Sequence, residues 1–590
     1  MHRRRLVRPF RALFAMSAVC FSSSAVADDL GDALDLVPKD AVAWAVVPNL
    51  SKLNADLSDL IDRANRPELA VAGRPVDVMV SQFGMAAGFD ERGSLAIWSP
   101  SIDDLLVGAG AVAVPVESAE RFLDANFDPE PAGGEGAYRR SDGTLLFARV
   151  IEKHVVLAPR RDLVENWEAA SMGVSRLLTP FGDSALQEMR RSDALLRISG
   201  AAMEEMERMA NDQAPVGEVP QDFTDAIPVD PKLLADRFGE VTGGAEDIVV
   251  GVDADALAIG LRGWTRYAQG SLAANAAAAA RPGVSPLATL PAGPYYFAMG
   301  IDFVGLGGEM AARTIQKIAE DDFGDLSEFT ELAGVVDGVA FSMRPSKLGI
   351  AMGGILNDAG VVVRTDDPER VAAVVGEAVK SMDGIDGAIE REASFERGVK
   401  QRNGMITDQI TVKAEIAPEN RREAGSRVGD ASIELTATRM TFGPRGWLGL
   451  GRAVGPGYVM TFSRRPDVFA RYSDAEGLQN DPVIAAMGSW MPAKPSVQAF
   501  IDVGRLAGLA RQVAGLVPGA EGMVPELDDT MPPIGFGLGL APADAGTALL
   551  EWGLVVPSEV VGTAVGLGMD RMLDFPGVPG AGAGEGGGDR

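Results

Sequence analysis

Two residue types that carry much of enzyme chemistry are nearly missing from this 590-residue chain, which has one cysteine and two histidines. Cys20 and His2 both fall in the first 27 residues, a stretch that reads as a removable leader. The remainder then has no disulfide, no thiolate nucleophile and no zinc–thiolate site. With His154 the sole histidine left, a two-histidine zinc helix cannot be built, and a serine triad would need His154 as its base. His154 lies in the strand-like run IEKHVVLAP, and the matching run GPGYVMTF has no histidine. It reads as a structural side chain. No Gly-Lys dipeptide occurs, which excludes the lysine-bearing phosphate loop.

Other scarcities narrow the field further. The net charge is −29, with 83 acidic against 54 basic residues, and such a surface repels nucleic acid and anionic headgroups. Aromatic residues make up only 6% and the seven tryptophans are scattered, so no stacking platform for sugars or bases is evident. Trp264 and Trp552 occupy matched positions in two similar segments and are expected in the core. Beyond the leader no apolar run is long enough to cross a bilayer, so no membrane span is expected in the mature chain.

The leader itself is distinctive. Five arginines and no acid occupy the first eleven residues, a short apolar stretch follows, and Ala25-Val26-Ala27 precedes Asp28. A basic start, a short apolar core and a small-x-small site form an export signal, with cleavage expected after Ala27. Lipidation at Cys20 is the alternative, disfavoured by Val19 before it, and Arg3-Arg4 leaves a twin-arginine route open. The mature protein is thus expected to be periplasmic or secreted. Its end, 574–590, is glycine-rich and reads as a disordered tail.

Between leader and tail one design recurs: an apolar strand, a small polar residue, then a helix. It occurs at AVAWAVVPNLSKL (Asn49), ALLRISGAAM (Ser199), YYFAMGIDFVGL (Asp302) and SVQAFIDVGRL (Asp502). The polar side chain is placed to cap the helix. Flanking segments match in the same order: VPVESAERFL with VVRTDDPERV, and HVVLAPRRDLV with YVMTFSRRPDV. The economical reading is a tandem duplication, 28–283 and 284–573, with charged sequence near 390–432 as a surface excursion of the second half. Each half mixes alternating strands with capped helices, which predicts an α+β fold of mostly antiparallel sheets with helices packed on one face. A parallel βαβ sheet is the structural alternative.

The proline-bearing strands DLVPKDAVAWAVV, ATLPAGPYYFAMGID and SWMPAKPSVQAFID resemble the repeated strand segments of a group of exported bacterial proteins of unknown function. That resemblance implies export and repetition, and brings no activity or catalytic residue with it.

Candidate sites are few. Asp253 with Asp255, and the run Asp321, Asp322, Asp325, Glu328, do not fit the twelve-residue calcium loop. Gly108-Ala109-Gly110-Ala111-Val112-Ala113 has the glycine spacing of a dinucleotide turn, but apolar residues continue to VAVPV where a helix must begin. Arg160-Arg161 and Arg464-Arg465 each follow a strand, and their guanidinium forks suit an anion. A surface turn, with Asp162 or Asp467 as the ion-pair partner, is the plainer reading. No catalytic residue, metal ligand or cofactor is assigned. The expected function is a non-enzymatic binding or structural protein, its partner a protein or a small apolar ligand. An exported hydrolase using paired carboxylates, 5–10 Å apart, is the enzymatic alternative.

Overall fold

The computed structural model describes residues 29–64, 87–107, 109–165, 167, 177–212, 244–281, 283–308, 334–386, 389–417, 426–473, 477–516 and 524–564. The first strands are β1 (Ala43–Val47), β2 (Leu95–Ser99), β3 (Ala111–Pro115), β4 (Asp128–Pro129), β5 (Ala137–Arg139), β6 (Leu145–Ile151), β7 (His154–Ala158), β8 (Ala194–Ser199), β9 (Ala245–Ala254) and β10 (Ala258–Tyr267). They are followed by β11 (Phe297–Asp302), β12 (Val336–Met343), β13 (Gly360–Thr365), β14 (Gly384–Asp386), β15 (Ile389–Lys400), β16 (Ile406–Ile416), β17 (Trp447–Ala453), β18 (Gly457–Thr461), β19 (Val497–Ile501), β20 (Ile534–Pro542) and β21 (Ala548–Pro557). All 21 join one continuous sheet. Every pairing among them is antiparallel, so the fold is α+β and the parallel alternative falls away.

Strands β10 and β21 pair along their whole lengths at the centre of the sheet. From that seam, one arm runs outward through β9, β8, β1, β2, β3, β7, β6 and β5. The other runs through β20, β19, β11, β12, β13, β18, β17 and β16. Each arm therefore follows the same chain order. Beyond β16 the second arm continues through the long charged strand β15 to β14, so the charged segment expected as a surface excursion extends the sheet. The alternation in Glu390, Glu392, Ser394 and Glu396, all exposed, gives β15 its outward polar face.

The helices correct one expectation: they cover both faces, not one. On the first arm Trp44, Val46, Ala96, Trp98, Ala113 and Val156 pack with helices Asp29–Asp35 and Asp183–Met189. Their alternate neighbours Val47, Leu95, Val114, Val155 and Leu157 pack on the other side with helices Leu50–Arg63 and Ala119–Asn126. A strand that is apolar at successive positions has two faces to hide, and one layer of helices cannot hide both. The Leu50–Arg63 helix buries Leu50, Leu53, Leu57 and Leu60, each contributing about 1.5–3 kcal/mol of transfer free energy.

Three of the four expected caps form, while after Asp302 the described residues 303–308 make turns and no helix. Asn49 accepts the amide of Lys52, Ser199 that of Ala202, and Asp502 that of Arg505. Asp302 accepts the amide of Gly305 and is also gripped by Arg364.

Candidate functional site

One face of the sheet is closed across the seam. There Trp264 is 1% exposed, and the ring of Trp490 lies on Gly260, where a Cβ would come within 1.9 Å of it. Gly535, Gly537 and Gly553 sit under Met491 and the Trp490 backbone in the same way. The connector after helix Pro482–Met487 thus lies flat on the glycines of β20, β21 and β10, and Arg262 donates to the Ser489 carbonyl. Arg262 also faces Glu188 at 3.4 Å and Asp253 at 3.6 Å. Burial pushes the carboxyls of Asp253 and Glu551 up, Glu188 adding to both. At 6% exposed, Asp253 offers substrate no access, and the cluster works as a seam lock.

The opposite face differs. Leu261 opposes Leu554, Leu554 opposes Phe536, Phe536 opposes Ala499, and Ala499 opposes Met299. Met299 opposes Phe341, Phe341 opposes Val361, and Val361 opposes Met460. This is one apolar row across eight adjacent strands, and every member is half-buried. Leu261 packs at its edge with the Leu50–Arg63 helix, and Met460 with cores that include Val371 and Val379 of helix Pro368–Ser381. Between them, Leu554, Phe536, Ala499, Met299, Phe341 and Val361 join no buried cluster among the described residues. At roughly 4.8 Å per strand those six strands span about 24 Å. Trp552, Phe297, Ile501 and Ile534 widen the strip and are half-buried too.

The residue pattern is unusual in its direction. In β11, β12 and β20 the side chains turned to the closed face are small: Ala298, Gly300, Gly338, Ala340, Ser342, Gly535 and Gly537. The large apolar ones, Met299, Phe341 and Phe536, face the open side. Folding alone favours the reverse, since large apolar side chains gain most from burial.

The two matched tryptophans separate here. Residues directly opposite in an antiparallel pair share a face. Trp264 opposes Glu551, whereas Trp552 opposes Gly263, whose Cβ would meet the Trp552 ring at 2.0 Å. Trp264 is therefore core on the closed face, and Trp552 lies half-buried on the open one.

The paired arginines are not brought together. Arg160 binds Asp104 and Asp162, and these hydrogen bonds push its already high pKa up. Arg161 binds Glu165 and the Gly133 carbonyl, its guanidinium 4.9 Å from the Phe147 ring centre. Arg465 binds Asp358 and Asp467, and Arg464 reaches Thr411 and the Ile410 carbonyl. Their donors are engaged within the protein, in turns that begin helices Asp162–Glu165 and Pro466–Ser473. His154 Nε2 donates to the Ser94 carbonyl at 3.0 Å, so that nitrogen cannot take the proton of the Ser94 hydroxyl 3.4 Å away. Burial lowers its pKa. Gly110 precedes strand Ala111–Pro115, not a helix, so the dinucleotide turn does not form. Asp321, Asp322, Asp325 and Glu328 lie outside the described residues, as do Gly108, the leader and the tail. Among the described residues no group of three or more acidic, histidine or cysteine side chains is arranged to hold a metal, and no helix is long and apolar enough to cross a membrane.

No family model and no curated protein matches this chain. Among solved structures, crystal forms I, III and IV of TP0453 align with 48% of this chain and 97, 99 and 97% of their own, at 8, 9 and 9% identity. Their TM-scores are 0.22, 0.22 and 0.23, too low to argue from.

Proposed function

We propose that this chain is an exported, non-enzymatic binding protein, made by tandem duplication, whose open sheet face receives a small apolar ligand. The observation that carries the reading is the half-buried apolar row that, among the described residues, joins no buried cluster over six adjacent strands. A row of half-buried apolar side chains suits an apolar ligand better than a polar one. The shared chain order of the two sheet arms supports duplication, and the basic, short-cored N-terminus supports export. Asp253, the buried acid at the seam, is held beside Arg262, which speaks against its use in a hydrolytic carboxylate pair.

Native mass spectrometry of the protein purified without detergent from its own compartment tests this reading. The expected result is an N-terminus at Asp28 and an added mass that organic solvent removes. A ligand-free protein that also takes up no apolar probe would overturn it.

A further inference from the structure

Residues 344–359 connect β12 to β13 at one end of the sheet. The base of this connector is tied down. Arg344 is buried and donates to the Pro291 and Ala292 carbonyls, and Asn357 donates to Ser346 Oγ at 2.9 Å. Between those ties the helical turn Ile350–Gly353 is bracketed by Gly349 and Gly354, both in the left-handed region at φ 66° and 77°. Ile350 turns inward to Tyr296 and Leu509. Leu348 and Met352 turn outward, and Met352, at 72%, is the most exposed large apolar side chain among the described residues. Charge sets this end apart as well. The chain has 83 acidic residues, yet none occurs between Asp337 and Asp358, or between Glu434 and Asp467. The two acid-free stretches lie side by side, Ile355 donating to the Met440 carbonyl and Leu356 to that of Thr441. The exposed charges that flank the turn are Lys347, Arg439 and Arg445. Acids return only on the side of helix Val503–Ala514, where Arg511 pairs with Glu526.

We propose that this turn seats the protein on the surface of a lipid bilayer, Leu348 and Met352 entering among the acyl chains and Lys347, Arg439 and Arg445 meeting headgroup phosphates. Three observations favour a bilayer over a second copy of the chain. Apolar side chains that project from a tied-down turn, with basic groups around them, match the layered chemistry of a lipid interface. The protein as a whole carries −29, so a second copy approaches against repulsion, whereas a zwitterionic lipid offers phosphates without net charge. The turn also adjoins the open row: Met343, two residues beyond Phe341 and on the same face of β12, packs with Ile350 and Leu509. An apolar ligand dissolves in a bilayer far better than in water, so the row exchanges its ligand where the turn is seated. That exchange step rests on the reading of the open face as a binding surface; the seating does not.

The test uses the mature protein and vesicles of phosphatidylcholine, with the thermal midpoint measured for every variant. Wild type should float with the vesicles. Leu348→Asp and Met352→Asp should each weaken that binding about tenfold at an unchanged midpoint, since both side chains lie on the surface. Leu257→Asp, at an exposed apolar site between β9 and β10, should leave it unchanged. A wild type that stays off the vesicles, or equal losses for Leu257→Asp and Met352→Asp, would overturn the proposal. A wild-type dimer in sedimentation that Met352→Asp dissolves would overturn it in favour of a second copy. The fluorescent apolar probe N-phenyl-1-naphthylamine separates the two readings. In buffer without vesicles Met352→Asp should bind the probe as wild type does, but it should take the probe from loaded vesicles about fivefold more slowly. Equal transfer rates would overturn the exchange step. Failure of the wild type to bind the probe would overturn the open-face reading and leave the vesicle result standing.

Discussion

The two faces of the central sheet are lined by the same strands yet are built in opposite ways. On the closed face glycines and alanines meet the ring of Trp490 and the side chain of Met491, and Trp264 is nearly inaccessible. On the open face larger side chains line up over six strands without joining a core among the described residues. The difference teaches that, across these central strands, the tightest described packing lies on the closed side. Close contact between small residues and a connector fixes the seam. The apolar row opposite is the surface proposed above to receive the ligand.

The largest expected effect comes from the closed face. Trp264→Ala should lower unfolding free energy by about 3–5 kcal/mol, read from urea denaturation, because the cavity cannot refill. Phe341→Ala on the open face should cost clearly less in the same assay. Equal losses would erase the contrast. Next, Gly260→Ala places a methyl group against the Trp490 ring and should cost about 1–3 kcal/mol by overpacking. A neutral outcome would mean that the connector does not press on the seam. A smaller loss, about 1 kcal/mol, is expected for Asn49→Ala, which removes the cap of the helix that borders the open row.

The smallest effect concerns pH. Burial holds the His154 imidazole below its ordinary value of about 6.5. Its stabilising contribution is therefore complete above that pH and is lost as pH falls through the folded value. Asp302, Asp502 and Glu551 act in the other sense, since burial raises them. Their contribution is complete below the ordinary carboxylate range and is lost as pH rises through their folded values. His154→Gln should leave the thermal midpoint at pH 8 nearly unchanged and flatten its fall between about pH 6.5 and 5. An unchanged slope would show that His154 is not titrating against burial.

Much of the local structure was legible in the residues. The run GTLLFARVIEKHVVLAP predicts a hairpin, and Ile151 indeed opposes His154. Asn49, Ser199 and Asp502 read as caps and form them. The number of covered faces was less legible. A strand such as Ala111–Pro115, apolar at every position, requires cover on both sides, but the helices that supply it come from distant parts of the chain. Trp264 and Trp552 match in sequence and still take opposite faces. The pairing of β10 with β21 sets Trp264 against Glu551, and a one-residue slip in register reverses a face. The open row was hidden for a related reason. Alternation in FAMGID shows that large and small residues face opposite ways, but not which side the described helices pack against.

The central claim is that the open face, and not the closed one, takes up apolar molecules. Its most direct test is titration of the mature wild type and the Phe536→Asp variant with N-phenyl-1-naphthylamine, with thermal midpoints measured on the same samples. A charge in the middle of the row should abolish saturable uptake while the midpoint moves by only a few degrees. Undiminished uptake by a folded Phe536→Asp protein would contradict the account.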